Sequence, residues 1–180
     1  MVCPRDAIRE KDFRIGVIST FVDENITLKS GCLDVGVSLA STLVHSVKAR
    51  LDKGVTAILD APPGTACPAV ATLRGVDFVM LVTEPTPFGL HDLKLAVDTV
   101  RELRLPFGVV INRVGIGDDR VHRFCANEHI PILLEIPDDR RIAEAYSRGE
   151  LIVEALPEYR AHFERLWQAI TREAGQGGAP

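Results

Sequence analysis

TAILDAPPGTACP, Thr56 to Pro68, is the stretch on which this chain turns. It opens as a β-branched and apolar run with Val55, Ile58 and Leu59, places Asp60 at the end of that run, and turns through Pro62-Pro63-Gly64. A buried strand ending in one carboxylate, followed by a stiff loop closed by glycine, suits a phosphate–magnesium site. The strand would fix the carboxylate, and a cation or its water shell would offset the cost of half-burying it. Paired prolines pre-set φ, while Gly64 lets a bare backbone N–H approach an anion. The same residues also describe an ordinary α/β strand ending in Asp and a Pro-Gly turn, and the stretch alone leaves both readings open.

The surrounding chain adds context. Val76 to Leu103 reads VDFVMLVTEPTPFGLHDLKLAVDTVREL, Phe107 to Arg113 reads FGVVINR, and Ile130 to Glu154 reads IPILLEIPDDRRIAEAYSRGELIVE. With LDAPPGTACP, these segments resemble the MinD/ParA/Mrp group of P-loop ATPases, in particular the subgroup carrying an inserted ferredoxin-like iron–sulfur domain. The resemblance runs from about Cys3 to about Pro157 and covers only the latter half of the family pattern.

Composition is that of an ordinary globular chain: 180 residues, 46% hydrophobic and 26% charged. A net charge of -4 provides no basic stripe for nucleic acid, so no nucleic-acid partner is expected. No apolar run reaches the roughly 18–20 residues of a membrane helix, and no signal peptide is recognisable, so a cytoplasmic location is expected. Cys3, Cys32, Cys67 and Cys125 are widely spread and contain no CxxC, which argues against a disulfide framework. Cys3-Pro4 within VCPRDAI resembles the tail of a ferredoxin insert, where a last cluster cysteine precedes proline. One cysteine cannot hold a cluster, so Cys3 reads as a remnant ligand and no 4Fe-4S cluster is expected in this chain alone.

Residues 13–28 suggest a hairpin turning at Asp23-Glu24-Asn25, and Gly31 and Gly36 bracket a loop leading into a helix over 37–51. A strand ending at Asp60 and a short helix over 69–74 follow, then a strand over 78–82 apolar enough to be buried on both faces. Beyond the rigid loop Thr83–Pro87, helices are expected over 89–103, 118–128, 140–148 and 158–173, and strands over 109–111 and 132–136. The last of those helices should be amphipathic, carrying Tyr159, Phe163, Leu166, Trp167 and Ile170. This alternation predicts an α/β fold with a three-layer, mostly parallel sheet: P-loop-NTPase-like, without the P-loop strand. The expected organisation is a ferredoxin-insert remnant over 1–12, the C-terminal part of a MinD-like domain over 13–173, and a disordered tail over 174–180.

Ligands of open parallel sheets gather beyond the carboxyl ends of the strands, here Asp60, Thr83-Glu84, Asn112-Arg113 and Pro137-Asp138. The resemblance implies that Asp60 is the catalytic Walker B acid, linked to magnesium through water, and that Pro63 and Gly64 border the nucleotide, the Gly64 N–H sensing its terminal phosphate. It implies that Asn112 recognises adenine, whose edge a carboxamide matches with one donor and one acceptor. Without the family, Asn112 reads equally as a turn or capping residue. Arg113 would flank the base, with Pro137 and Asp138 bordering base and ribose. His122, Cys125 and His129 fall at helical spacing, but Cys125 lies on the apolar stripe and the histidines read as solvated rather than as metal ligands.

No GxxxxGK[ST] occurs, and of the five lysines only Lys29 precedes Ser or Thr, with no glycine before it. ATP hydrolysis by this chain alone is therefore not expected. The resemblance implies a complete protein that binds ATP or ADP with magnesium and a 4Fe-4S cluster, and that handles iron–sulfur clusters or transfers electrons. This chain would depend on its missing N-terminal half, or on self-association, to cover the apolar sheet edge left without its P-loop strand; the hairpin could also fill that edge. The alternative is a non-catalytic interaction module on the same scaffold.

Overall fold

The computed structural model describes residues 11–176, with Pro4 and Ala7. Cys3 and residues 177–180 lie outside the described residues. The chain divides into two compact units, one from Met1–Pro62 with Cys67–Thr72, the other from Pro63–Ala66 with Leu73–Pro180.

In the first unit β1 (Gly16–Asp23) and β2 (Ile26–Leu33) form an antiparallel hairpin in which Asp23 pairs with Ile26. That register leaves Glu24-Asn25 as the turn, and Glu24 takes the left-handed conformation a tight hairpin requires. Gly31 and Cys32, expected in a loop, belong to β2. A side chain at Gly31 would meet Val47 Cγ2 at 2.9 Å and Leu43 Cγ at 3.0 Å, so its absence allows α1 (Ala40–Lys48) to pack closely on β2. The Lys48 ammonium donates to the carbonyls of Ala71 and Thr72, capping the last turn of α2 (Cys67–Leu73).

The expected strand at 56–60 does not form: those residues are irregular, and Ile58 is 87% exposed. A strand needs a neighbour to take its backbone donors and acceptors, and none of the described strands pairs with this segment. The apolar composition of Val55, Ile58 and Leu59 is thus necessary for a strand but not sufficient. Nor does the hairpin extend the parallel sheet; it is a separate two-stranded sheet.

The second unit is α/β, with a parallel sheet flanked by helices, in keeping with a three-layer, mostly parallel architecture. Its strands β3 (Val79–Thr83), β4 (Phe107–Val114) and β5 (Ile132–Pro137) lie in that order. They are linked by α3 (Pro87–Glu102) and α4 (Arg120–Asn127). Leu93 and Val97 of α3 and Val121 and Cys125 of α4 meet Val109 and Ile111 of β4 in one core. Each fully buried side chain of that kind contributes about 1.5–3 kcal/mol. After β5 come α5 (Arg140–Ser147), the short α6 (Ile152–Ala155), a 3-10 turn at Pro157–Tyr159 and α7 (Arg160–Gln176), which lies against β5.

Two expectations change in this unit. β3 is buried on one face only: Val79 and Thr83 are buried, whereas Met80 and Val82 are 42% and 59% exposed. The helices cover the first face, and the second stays open among the described residues. On α7, Leu166 is buried, but Trp167 is about half exposed. The helix also runs through Gln176, past the expected start of the tail.

Candidate functional site at the carboxyl ends of the parallel strands

Three loops meet beyond β3, β4 and β5, each fixed by its own sequence. After β3, the Thr83 hydroxyl donates to the Gly89 carbonyl at 2.9 Å, and the Thr86 side chain accepts from the Gly89 N–H at 3.0 Å as the N-cap of α3. Pro87 occupies the first turn of α3, where no intrahelical donor is needed. TEPTPFG is therefore a rigid turn.

Beyond β4, Gly117 passes so close to this turn that a Cβ there would sit 1.5 Å from the Pro85 carbonyl oxygen. The same carbonyl accepts from the Asp118 N–H at 3.2 Å. On the other side, the Asp138 N–H donates to the Val114 carbonyl at 3.0 Å. All three strand ends are thus joined through backbone.

Arg113 adds a side-chain link. It is a non-glycine residue at φ +56°, beside an irregularity in the β4–β5 register between Ile111 and Val114. A local irregularity of this kind re-aims side chains, and a strained backbone persists only where its surroundings over-determine it. Arg113 Nε donates to Asp138 Oδ1 at 3.0 Å, and Nη1 lies 3.6 Å from Glu84 Oε1. The hydrogen bond to Asp138, reinforced by the charges of Asp138 and Glu84, raises the guanidinium pKa further.

Asn112, half-buried, lines a cleft of about 420 Å³ with Val82, Thr83, Glu84, Thr86, Phe88, Gly89 and Asp92. Two of the lining side chains, Glu84 and Asp92, are carboxylates, while Asn112 can both donate and accept. Chemically, such a cleft favours an uncharged, donor-bearing group over a phosphate.

The structure thus brings together Asn112, Arg113, Pro137 and Asp138. Asp60 lies in the other unit, exposed in its irregular segment; Pro63 and Gly64 are also exposed, Gly64 at φ +83°. Among the described residues no group of three His, Cys, Asp or Glu side chains is placed to hold a metal. His122 pairs with Glu135, and Cys125 is buried, its thiol pKa pushed up by desolvation. No helix is long and apolar enough to cross a membrane among the described residues.

Sequence reasoning placed Glu84 at a strand end but did not assign it to the site. It also missed a brace behind the β5 loop. Asp139 caps α5 by accepting from the Arg141 N–H, pairs with the Arg141 guanidinium, and accepts from the Tyr159 hydroxyl at 3.2 Å. Arg141 also reaches Glu158 at 3.1 Å, tying the Pro157–Tyr159 turn to the loop that carries Asp138. The available signal was an Asp directly before a helical pattern.

No family model matches this chain. It is similar to two uncharacterized proteins of Methanocaldococcus jannaschii, 40% identical over 94 residues and 28% over 109, spanning 31% and 39% of their lengths. It is also 30% identical over 116 residues to an iron–sulfur cluster carrier protein of Aquifex aeolicus, which covers 56% of this chain and 32% of that protein. The chain spans between about three-tenths and four-tenths of the length of these curated relatives.

Proposed function

We propose that this chain supplies the base-side half of an adenine-nucleotide site of the MinD/Mrp kind, within a protein that handles iron–sulfur clusters or transfers electrons. The observation that carries the reading is the convergence of Asn112, Arg113 and Asp138 at the ends of parallel strands beside a donor-seeking cleft. The similarity to an iron–sulfur cluster carrier protein supports its second part.

In this account Asn112 pairs with the edge of adenine through its carboxamide. Arg113, held by Glu84 and Asp138, flanks the ring, and Pro137 and Asp138 border base and ribose. Asp60, Pro63 and Gly64 serve the magnesium and phosphate side, with Asp60 as the Walker B acid, once 56–60 is paired as a strand. Magnesium would offset the charge of Asp60 and the phosphates. The described residues do not fit a 4Fe-4S cluster, which is assigned to the complete protein, and Cys3 is at most one remnant ligand. With no P-loop lysine, the chain does not hydrolyse ATP by itself. Its open β3 edge and the exposed Met80–Val82 face are where the N-terminal half, or a second copy, would add. A cytoplasmic setting is part of the same proposal.

Isothermal titration with Mg·ATP and Mg·ADP tests it. The account expects saturable binding with a dissociation constant below about 1 mM, weakened about tenfold by Asn112→Ala, which is on the order of one hydrogen-bonding interaction. Absence of heat at millimolar nucleotide contradicts it. The exposed apolar residues of β3 favour one other reading, a non-catalytic interaction module, and that reading predicts no nucleotide response at all.

A further inference from the structure

The end of β5 opposite to Asp138 carries a second cavity, which the base-side site does not use. A groove of about 360 Å³ opens there between the start of the strand and α7. Its apolar lining is Ile132, Leu133 and Ala169, and its polar lining includes Arg165, Gln168 and Arg172. Seven residues make two helical turns, so Arg165 and Arg172 are rooted about 10 Å apart along one side of α7. Gln168 and the small Ala169 lie between them. Most arginines of this unit sit against a carboxylate, as Arg101 does on Glu128 and Arg148 on Glu150. Arg165 does not. Its Nε donates to the Ala161 carbonyl of its own helix at 3.1 Å, and no carboxylate pairs with it among the described residues. Arg172 has a long contact, 3.5 Å from Nε to the carboxylate of Glu173, which also lines the groove. A guanidinium offers five donors in a fixed fork, so both arginines keep donors for a ligand. On a chain of net charge -4 this preference for an anion is local to the groove.

We infer that the groove binds a small dicarboxylate, with one carboxylate at each arginine and the methylene chain along Ile132, Leu133 and Ala169. Phosphate fits less well, because it gathers its charge at one point while the two guanidinium groups are rooted two turns apart. A monocarboxylate satisfies one end only. Glu173 opposes the ligand by neutralising part of the charge of Arg172. The groove is open to water, so each ion pair adds modestly, and selectivity comes from making both.

Adipate, hexanoate and inorganic phosphate, titrated into the full chain at constant ionic strength, test this; binding is read from the Gln168 side-chain amide by NMR. Adipate and hexanoate share a carbon chain and differ in the second carboxylate. Adipate is expected to bind about fivefold or more tightly than hexanoate or phosphate. Arg165→Gln and Arg172→Gln, both at exposed positions, should narrow the adipate-to-hexanoate ratio to about twofold or less. Glu173→Gln should widen it, and Arg160→Gln, on the same helix but outside the groove, should leave it unchanged. Hexanoate binding as tightly as adipate, phosphate binding more tightly than either, or a parental ratio in Arg165→Gln overturns the inference. So does the absence of a saturable shift with adipate at tens of millimolar. None of these probes carries a base, so the outcome is independent of the base-side reading.

Discussion

Arg113 Nε and Asp138 Oδ1 lie 3.0 Å apart, tying the end of β4 to the residue just past β5. Both side chains are about half exposed, so the pair adds little to folding and acts chiefly on geometry. It holds in place a guanidinium whose own backbone is left-handed, next to a carboxamide that looks into the cleft.

The left-handed backbone at Arg113 predicts an unusual tolerance. Arg113→Gly, which removes the ion pairs but relieves the φ, should keep Tm within about 2 °C of the parent. Arg113→Ile, β-branched at positive φ, should lower Tm clearly. Thermal unfolding followed by circular dichroism distinguishes them; equal losses in both would show that the side-chain links, rather than the backbone, dominate.

Gly117→Ala drives a Cβ into the Pro85 carbonyl and must separate the β3 and β4 loops. Urea unfolding should show a loss on the order of 2 kcal/mol, the scale of a strained backbone substitution. Binding should fall with it. An unchanged midpoint would mean that the two loops are not held in contact in solution.

Asp139 has a carboxyl pKa pushed down to about 2, first by its side-chain hydrogen bond from Arg141 and then by the Arg141 N–H. A carboxyl with a depressed folded pKa contributes stability above its unfolded pKa near 3.9 and loses it as pH falls toward the folded value. Between about pH 4 and pH 2 the parent should therefore lose more stability than Asp139→Asn, while at pH 7 the variant should be the weaker protein. Parallel pH profiles for the two would show that the Arg141 brace is not formed.

Val82 is an exposed apolar residue on a strand paired on one side only. Val82→Lys should reduce self-association in sedimentation velocity while leaving Tm nearly unchanged, since a charge on an open edge blocks strand addition without disturbing the core. A monomeric parent that Val82→Lys leaves unaltered would remove self-association from the account.

The second unit was legible because its signals are local and agree with one another. Leu90, Leu93, Val97 and Val100 fall on one stripe, and Thr86-Pro87 marks the start of α3; the structure has that helix, with Leu93, Val97 and Val100 buried. The segment at 56–60 has an equally strandlike composition, yet it failed as a strand because pairing depends on a neighbour that local composition cannot supply. The same limit explains the one-sided burial of β3. The strand-end rule named Asn112, Arg113 and Asp138, and the structure places them at the end of β4 and just past β5, with Arg113 and Asp138 paired. The Arg113–Glu84 link escaped it because that link arises from a backbone conformation of Arg113 that no sequence pattern encodes.

Amide NMR of the labelled full chain titrated with Mg·ADP tests the base-side reading most directly. The account predicts saturable shifts of the Asn112 side-chain amide and of the Glu84, Gly89, Arg113 and Asp138 backbone amides, with α7 unmoved. No saturable shift at millimolar Mg·ADP, or shifts confined to α7 and the hairpin, would contradict it.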